Sequence, residues 1–341
     1  MKPIKGSWID IVHHSERDGV YWNRMTLAYT AEDWRRLIRH LAEDFQLEYL
    51  VLTSVVVHRG IYLFPSARDP ARDRRPPRFP FLACKDPVRA ILEAAAEFRL
   101  KVFVGVGLFP EAYGLLPPRE LIEPSLEWVR ALAEELLERY GDLPSFHGFY
   151  SALEQGFQAN GLLDPAHVEW MARFNRIMKE LSPERKTLTS PHHCWQIAKA
   201  DPDPKMVAGQ IREMAVDYFV PQDGVGFDVP HSPRPAELAH EAFRRLAKIC
   251  STTDSELWGN VELFRFENDI YFQPLLPASW ERIEDQINGI AEHVGKIFCY
   301  QIPGLMTSQE LFPRLGEPET QDLFLAYRRY LQSLPPEQHH D

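Results

Sequence analysis

The sequence predicts a single-domain (β/α)8 barrel, also called a TIM barrel, and three observations support this. Short runs rich in β-branched and aromatic residues alternate with amphipathic helical patterns along the whole chain. No Gly-rich GxGxxG turn follows the first run, which disfavours a dinucleotide-binding sheet. No charge block or Gly/Ser linker separates two domains. The 341 residues exceed the typical length of such a barrel, about 250 residues, so we assign the excess to βα-loop insertions.

Eight runs are predicted as the barrel strands, and each precedes a helical segment. In chain order they are SWIDIV (7–12), YLVLTSVVV (49–57), KVFVGVGL (101–108), FHGFYSAL (146–153), TLTSP (187–191), YFVPQD (218–223), LWGNVEL (257–263) and IFCYQI (297–302).

Four helices have recognisable starts, because a side chain that can cap a helix precedes each pattern. These N-caps are Thr30, Asp86, Asp164 and Ser279. We expect the barrel over residues 1–334 and a short tail over 335–341. The largest insertion is expected at 58–85, where proline and arginine disfavour regular structure, and we expect it to fold over the barrel mouth.

The charge, apolar segments and cysteines of the chain limit the classes of function that it can have. A net charge of −11 and a pI near 5.7 disfavour nucleic acid and anionic membranes as partners. The N-terminal stretch lacks the apolar core of a signal peptide, and no run has the length of a membrane span. Four cysteines lie far apart without a CxxC pair, which favours reduced thiols and a cytoplasmic location. We expect no cofactor, and the oligomeric state stays open.

Two glutamates at strand ends suggest catalysis. GFYSALEQG begins as a buried strand and then reaches Glu154, while Glu262 ends the seventh strand. Strands four and seven face each other across the mouth of an eight-stranded barrel, where the active sites of this fold lie. Hydrolysis of a glycosidic bond requires such a carboxyl pair, one protonated and one ionised. The alternative is that a strand-end Glu only accepts hydrogen bonds from a neighbouring loop.

A third acid, Asp223, follows the sixth strand in VPQDGVG. It is interpreted as an orienting residue or as a group that tunes a neighbouring pKa, with Glu154 as general acid/base and Glu262 as nucleophile. It could also be the base of an inverting pair, or only the cap of a tight turn. A retaining pair of carboxyls would lie about 5 to 5.5 Å apart and an inverting pair about 6.5 to 9.5 Å apart.

Other polar and aromatic residues near the strand ends are typical of a carbohydrate pocket, because rings stack on the apolar faces of sugars and polar groups bind hydroxyls. The predicted substrate-binding residues are Asp10, His13, Tyr150, His192, Trp195, Gln222, Asn260, Phe264, Tyr300 and Gln301. Further aromatic residues that could be sugar platforms or loop core are Tyr21, Trp22, Phe266, Tyr271 and Phe272.

Two alternative functions remain open at this point. His192 and His193, with the three acids, could surround a divalent metal in a sugar isomerase-like enzyme. However, adjacent histidines in a strand point to opposite faces, and no ligand spacing supports a metal site. The second alternative is a noncatalytic carbohydrate-binding barrel, whose acids only bind hydroxyls.

Five motifs, in this order, carry a resemblance to a known family: GSWID, GFYSALE, VPQDGVG, ELWGNVELF and CYQIPGLMTSQ. The chain resembles, over nearly its whole length, a family of glycosidase-like TIM barrels known mainly as a domain of unknown function. The resemblance implies a barrel, a carbohydrate-directed pocket, and Glu154, Asp223 and Glu262 at its rim.

The chain is also distantly similar to retaining glycosidases that carry the acid on strand four and the nucleophile on strand seven. That group usually has Asn before the strand-four acid, whereas this chain has Leu153. We therefore expect Asn260 or Gln222 to replace the contact with the sugar 2-hydroxyl.

Overall fold

Eight parallel strands form a closed barrel in the computed structural model, which describes residues 2–57, 60–68, 82–107, 109–110, 116–228 and 235–335. The strands are β1 (Ile4–Ile9), β2 (Tyr49–Leu52), β3 (Lys101–Gly105), β4 (Phe146–Tyr150), β5 (Lys186–Thr189), β6 (Tyr218–Phe219), β7 (Glu256–Leu257 and Gly259–Glu262) and β8 (Ile297–Tyr300). The predicted fold class and all eight predicted strands are confirmed.

The barrel closes through β7, which is interrupted at Trp258. The first part of β7 pairs with β6, and the second part pairs with β8. The Trp258 N–H donates to the carbonyl of Phe219 at 3.0 Å, and the next N–H, of Gly259, donates to Lys296 at 2.9 Å. Because β8 also pairs with β1, every barrel strand has two neighbours.

The helices surround this barrel, and the four predicted N-caps are confirmed. Their side chains each accept a hydrogen bond from the first turn, and Thr30 forms a reciprocal capping box with Asp33. The helices are α1 (Asn23–Ala28), α2 (Ala31–Glu43), α3 (Pro87–Glu97), α4 (Ile122–Tyr140), α5 (Pro165–Leu181), α6 (Gln196–Ala200), α7 (Pro204–Met214), α8 (Val225–Asp228), α9 (Pro235–Cys250), α10 (Trp280–Ile290) and α11 (Thr320–Ser333). Among the described residues, 3₁₀ turns cover Arg119–Leu121 and Glu267–Asp269.

The barrel interior is a packed aromatic core, separate from the apolar layer between strands and helices. Trp8, Tyr150, Trp258 and Phe298 are among its buried side chains. Gly148 makes room for the Phe103 ring of this core and for close approach of β5, because a Cβ there would lie 3.0 Å from Phe103 Cδ1 and 2.1 Å from the Lys186 carbonyl oxygen. The interior is therefore filled, and a ligand can enter only at the barrel ends.

The predicted insertion at 58–85 is only partly within the described residues, since 58–59 and 69–81 are not. Its start is more regular than expected, because Val56–Val57 pairs with Ile61–Tyr62 in a short antiparallel hairpin. Its next residues pack on α4, where Glu135 accepts hydrogen bonds from Ser66 and Ala67. The expected cover over the mouth lies outside the described residues. The same holds for the predicted tail from residue 336 onward.

A second insertion follows β7 and is an antiparallel hairpin of Phe264–Phe266 and Leu275–Pro277. All four cysteines are free and buried, as the lack of a CxxC pair predicted. Among the described helices, none combines the length and apolar character needed to cross a membrane.

Candidate active site

A cleft of about 280 Å³ opens at the carboxyl ends of the strands and contains both predicted catalytic glutamates. The residues that line it are His13, His14, Asp18, Thr53, Glu154, His192, His193, Gln222, Gly224, Phe227, Glu262, Phe264, Phe266, Phe272, Leu275 and Tyr300. Glu154 and Glu262 follow β4 and end β7, so the structure brings the predicted pair into one site.

Glu154 reaches the cleft because the chain beyond β4 stays paired with the chain beyond β5. The His192 N–H donates to the carbonyl of Gln155 at 3.3 Å, and the Phe157 N–H donates to the carbonyl of His192 at 3.0 Å. These two bonds extend the parallel pairing past the regular strands. Glu154 and His192 are thereby held next to each other on one wall.

The Glu154 carboxyl is open to the cleft and enclosed by protein elsewhere. Its Oε1 accepts hydrogen bonds from the Tyr150 hydroxyl at 3.4 Å and from the Gln222 amide at 3.3 Å. Desolvation by the surrounding protein raises its pKa to about 7, and the nearby Asp10 carboxylate acts in the same direction. The two hydrogen bonds oppose this shift. Glu154 is consequently partly protonated at neutral pH.

The Glu262 carboxylate has a different environment, because it is buried and contacts the backbone of α8. Its Oε2 accepts a hydrogen bond from the Phe227 N–H at 2.8 Å. Gly226 permits this approach, since a Cβ there would lie 2.9 Å from the Glu262 Cβ. Gly224 begins the turn with a φ of +72°, a conformation that favours glycine. The Gly residues of VPQDGVG thus allow this turn to approach Glu262 on the next strand.

Asp223 is buried behind Glu262 and is not one of the residues that line the cleft. Its Oδ1 accepts hydrogen bonds from the N–H groups of Glu262 and Val225, each at 3.2 Å, and its Oδ2 from Gln286 at 2.6 Å. Burial raises its pKa to about 6, while the hydrogen bonds and Arg282 oppose that shift. These contacts are typical of an orienting and turn-capping residue, which are two of the roles that the sequence suggested for Asp223.

Part of the cleft lining is an aromatic wall, which we define as Phe227, Phe264, Phe266 and Phe272. Phe227 and Phe266 lie 5.9 Å apart between ring centroids, and Phe264 and Phe266 lie 5.7 Å apart. Phe272 is 60% exposed, although its ring is large and apolar. The cleft therefore combines this apolar surface with carboxyl, amide and imidazole groups.

Several predicted aromatic platforms do not reach this cleft. Trp22 is fully buried, and Trp195 lies behind Gly224, whose Cβ position is 3.0 Å from the indole ring. Tyr21 donates a hydrogen bond to Glu267, and Tyr271 packs on Phe227 at 4.8 Å. Sequence position alone did not separate platforms from loop core, because both lie in the same insertions.

Other predicted binding residues support the cleft from beneath. The Tyr300 ring lines the cleft, and its hydroxyl donates to Asp10 at 2.7 Å. Gln301 accepts a hydrogen bond from the Asp10 N–H at 3.1 Å. Asp10, Gln301, Tyr150 and Asn260 are buried and do not line the cleft.

Of the two residues expected to replace the usual Asn, only Gln222 faces the cleft. Asn260 donates instead to the Ser190 hydroxyl at 3.4 Å. His13 lines the cleft beside His14, and the two rings are stacked at 4.4 Å.

The two histidines after β5 both line the cleft, although strand geometry would have allowed only one. Regular pairing of β5 ends at Thr189, and His193 has a φ of +58°, which breaks the alternation. Burial lowers the pKa of His192 to about 3, so its imidazole is neutral. In the described part of the chain, no three His, Cys, Asp or Glu side chains are grouped to hold a metal ion. The metal-dependent alternative is therefore not favoured.

Some site residues were missed by the analysis of the sequence. Phe227 directly follows the glycines of VPQDGVG, and Asp18 and Thr53 lie in loops without a distinctive pattern. Arg282 and Gln286 lie on α10 behind Glu262, one helical turn apart. Two polar residues at i and i+4 on a helix face that meets the barrel were a readable signal for such a contact.

The described fold is similar to solved glycosidase barrels. A candidate alpha-L-fucosidase from Bacteroides thetaiotaomicron has a TM-score of 0.72 and 16% identity, covering 97% of this chain and 94% of that one. An intracellular xylanase from Thermoanaerobacterium saccharolyticum has a TM-score of 0.50 and 12% identity, covering 90% and 89%. A beta-galactosidase from Marinomonas ef1 has a TM-score of 0.53 and 10% identity, covering 97% and 59%. The class is thus a TIM barrel with the fold that these glycosidases share.

Within that class, the chain belongs to the family described as domain of unknown function (DUF4434), whose model matches residues 4–311. The resemblance drawn from the five motifs is confirmed. No curated protein matches the sequence.

Proposed function

We propose that this protein is a glycoside hydrolase that cleaves a carbohydrate substrate with retention of anomeric configuration. Glu154 acts as the general acid/base and Glu262 as the nucleophile. One observation carries the proposal: two carboxyl groups share a cleft, and the surroundings of Glu154 raise its pKa to about 7. A glycosidase needs such a proton donor beside a second carboxyl group, because one acid must donate a proton while the other attacks as an anion.

In the first step, Glu154 donates its proton to the glycosidic oxygen as the bond from that oxygen to the anomeric carbon breaks. The Glu262 carboxylate attacks the same carbon from the opposite face and forms a glycosyl ester. The Phe227 N–H, 2.8 Å from Glu262 Oε2, holds the carboxylate in place during the attack.

In the second step, water attacks the anomeric carbon and displaces Glu262, and Glu154 accepts the proton from that water. The two inversions give net retention and return both acids to their starting states. Tyr150 and Gln222 keep the Glu154 carboxyl oriented through both steps by donating to its Oε1.

Substrate binding is supported by the two unlike walls of the cleft. The aromatic wall suits the C–H face of a sugar ring, while Gln222, His13 and His192 can bind hydroxyls. The similar structures are described as a candidate fucosidase, a xylanase and a galactosidase, which act on different sugars. At 10 to 16% identity, this similarity supports the reaction class and leaves the sugar to be found.

The test is hydrolysis of a panel of aryl glycosides and oligosaccharides by the wild type, Glu154→Gln and Glu262→Gln, with and without a chelator. We expect chelator-resistant cleavage that both substitutions abolish. Glu256→Gln is the matched control, because Glu256 begins the same strand that Glu262 ends and lies at the other end of the barrel. The anomer released first, observed by ¹H NMR, distinguishes retention from inversion.

Each other outcome changes the assignment. Sugar binding without turnover in the wild type would favour the noncatalytic barrel. Activity that the chelator removes would favour a metal-dependent enzyme. Full activity of either Gln variant at Glu154 or Glu262 would overturn the role given to that residue.

A further inference from the structure

A polar cluster on α10 lies directly behind the Glu262 carboxylate and has no place in the mechanism above. It consists of Arg282 and Gln286, which are four residues apart and therefore on the same helix face. Gln286 is buried, and the Arg282 Nε is enclosed without a hydrogen-bond partner. Placing a cation there is costly unless nearby anions compensate, so the cluster requires an explanation.

The cluster holds the end of β7 through its backbone. The Arg282 guanidinium donates to the carbonyl oxygens of Glu262 at 3.1 Å and of Phe264 at 2.5 Å. Gln286 donates to the same Glu262 carbonyl at 3.2 Å and to Asp223 at 2.6 Å. Asp223 in turn accepts from the Glu262 N–H. Both backbone groups of Glu262 are therefore fixed by side chains, at the point where the regular strand ends.

The cluster also brings charge to the two acids on this side of the cleft. The carboxylates of Asp223, on the loop after β6, and Glu262, on β7, both stabilise the Arg282 cation. From the hairpin after β7, Asp269 adds to that effect and Arg265 opposes it. By reciprocity, the Arg282 cation favours the ionised form of both acids. The other catalytic candidate, Glu154, has Asp10 as its charged neighbour instead.

We propose that Arg282 is a positioning residue that fixes Glu262 at the end of β7 and keeps this carboxylate ionised, with Gln286 linking it to Asp223. The proposal rests on the proposed function, since it explains how the nucleophile is kept as an anion in a buried site. Arg282 acts through the backbone and the field at Glu262 and touches no substrate.

The kinetic consequence is a shift at acidic pH. Without the Arg282 cation, Asp223 and Glu262 bind protons more tightly. Glu262 is therefore protonated, and inactive as a nucleophile, at a higher pH than in the wild type. We expect Arg282→Met to move the acidic limb of kcat/KM upward by about one pH unit, which is about tenfold lower kcat/KM at pH values on that limb. At pH 8 the loss should be smaller and should fall on kcat, because misplacement of Glu262 affects the chemical step.

Two further variants keep the test independent of folding. Arg282→Lys retains the charge and should restore most of the acidic limb, whereas Arg282→Gln retains one donor without charge and should not. Arg185→Met is the matched control, since Arg185 also donates to backbone carbonyls, those of Gly141 after α4 and Phe146 at the start of β4, at the opposite end of the barrel. We expect this control to lose stability and keep the wild-type pH profile.

A measurement without turnover separates this proposal from the proposed function. With ¹³C-labelled glutamate carboxyls, NMR titration of the wild type and of Arg282→Gln follows Glu262, assigned by the signal that Glu262→Gln removes. Titration of Glu262 at higher pH in Arg282→Gln supports the proposal even if no glycoside is cleaved. Unchanged titration together with an unchanged acidic limb would overturn it.

Discussion

Glu154 and Glu262 face the same cleft, yet the charged groups beside them have opposite sign. Around Glu154 lie a tyrosine hydroxyl, an amide and the Asp10 carboxylate, and the protein raises its pKa to about 7. Behind Glu262 lie a backbone N–H donor and the Arg282 cation. Two chemically identical side chains thus lie among different charges and hydrogen-bond donors, and the proposed mechanism assigns them different roles on that basis.

The largest expected effect is at Glu262, whose substitution removes the covalent step. Glu262→Ala should lower kcat by about 10⁴-fold or more. Sodium azide should restore part of the activity by attacking the open face of the sugar, giving a glycosyl azide of inverted configuration. Analysis of that azide by NMR is the measurement. A product azide of retained configuration would exchange the roles of the two acids.

A smaller and substrate-dependent effect is expected at Glu154. Glu154→Gln should lower turnover of substrates with poor leaving groups by about 10² to 10⁴-fold, because proton donation is lost. A 2,4-dinitrophenyl glycoside needs no proton on its leaving group, so its glycosylation step should be nearly normal. Single-turnover kinetics on both substrate types measure the difference. Equal losses on both would contradict a general-acid role.

The pH dependence of kcat/KM should follow the protonation of Glu154. Because Glu154 must be protonated to donate, kcat/KM should fall about tenfold per pH unit above its pKa of about 7. Glu154→Gln should remove this basic limb from the residual activity. Rates measured from pH 4 to pH 10 test it. A basic limb that persists in the variant would belong to another group.

The aromatic wall is expected to contribute binding and no chemistry. Phe272→Ala should raise KM by about 3- to 10-fold at unchanged kcat, which corresponds to loss of one stacking contact. Phe312→Ala is the matched control, since Phe312 is 73% exposed and does not line the cleft. Steady-state kinetics on one substrate compare the two. A fall in kcat for Phe272→Ala would give the ring a positioning role.

The smallest effect is on stability. The pKa of Glu154 is raised in the folded state above its ordinary 4.5, so the folded protein loses stability as pH rises from about 4.5 through about 7. Glu154→Gln removes that loss and should raise Tm at pH 8 relative to wild type, by about 2 °C or less because the carboxyl is open to the cleft. At pH 4 the two should agree. Calorimetry at both pH values measures this, and a lower Tm at pH 8 would contradict the burial effect.

Sequence patterns alone determined the strand order, four helix starts and the two glutamates. Alternation of apolar runs and amphipathic segments is a local property, and strand ends in a barrel meet at one mouth. Glu154 and Glu262 were therefore found without knowledge of packing. The five motifs in order indicated a glycosidase-like TIM-barrel family known mainly as a domain of unknown function, and the DUF4434 family model confirms that resemblance.

Tertiary packing decided which of the residues near the strand ends face the cleft. Trp195, Asn260 and Asp10 lie near strand ends as the lining residues do, but none of them lines the cleft, and Asn260 and Asp10 are buried. His193 shows the converse, because its positive φ turns it into the cleft. Loop dihedrals of this kind depend on tertiary contacts that no local pattern encodes.

The sequence thus determined the kind of barrel and the acids at its mouth, because residue type and strand position are written along the chain. Only the tertiary structure decided how those acids differ. Burial, the Asp10 carboxylate and the Arg282 cation come from elements far apart in sequence, and a pKa depends on all charges and dipoles that the fold brings within a few ångströms.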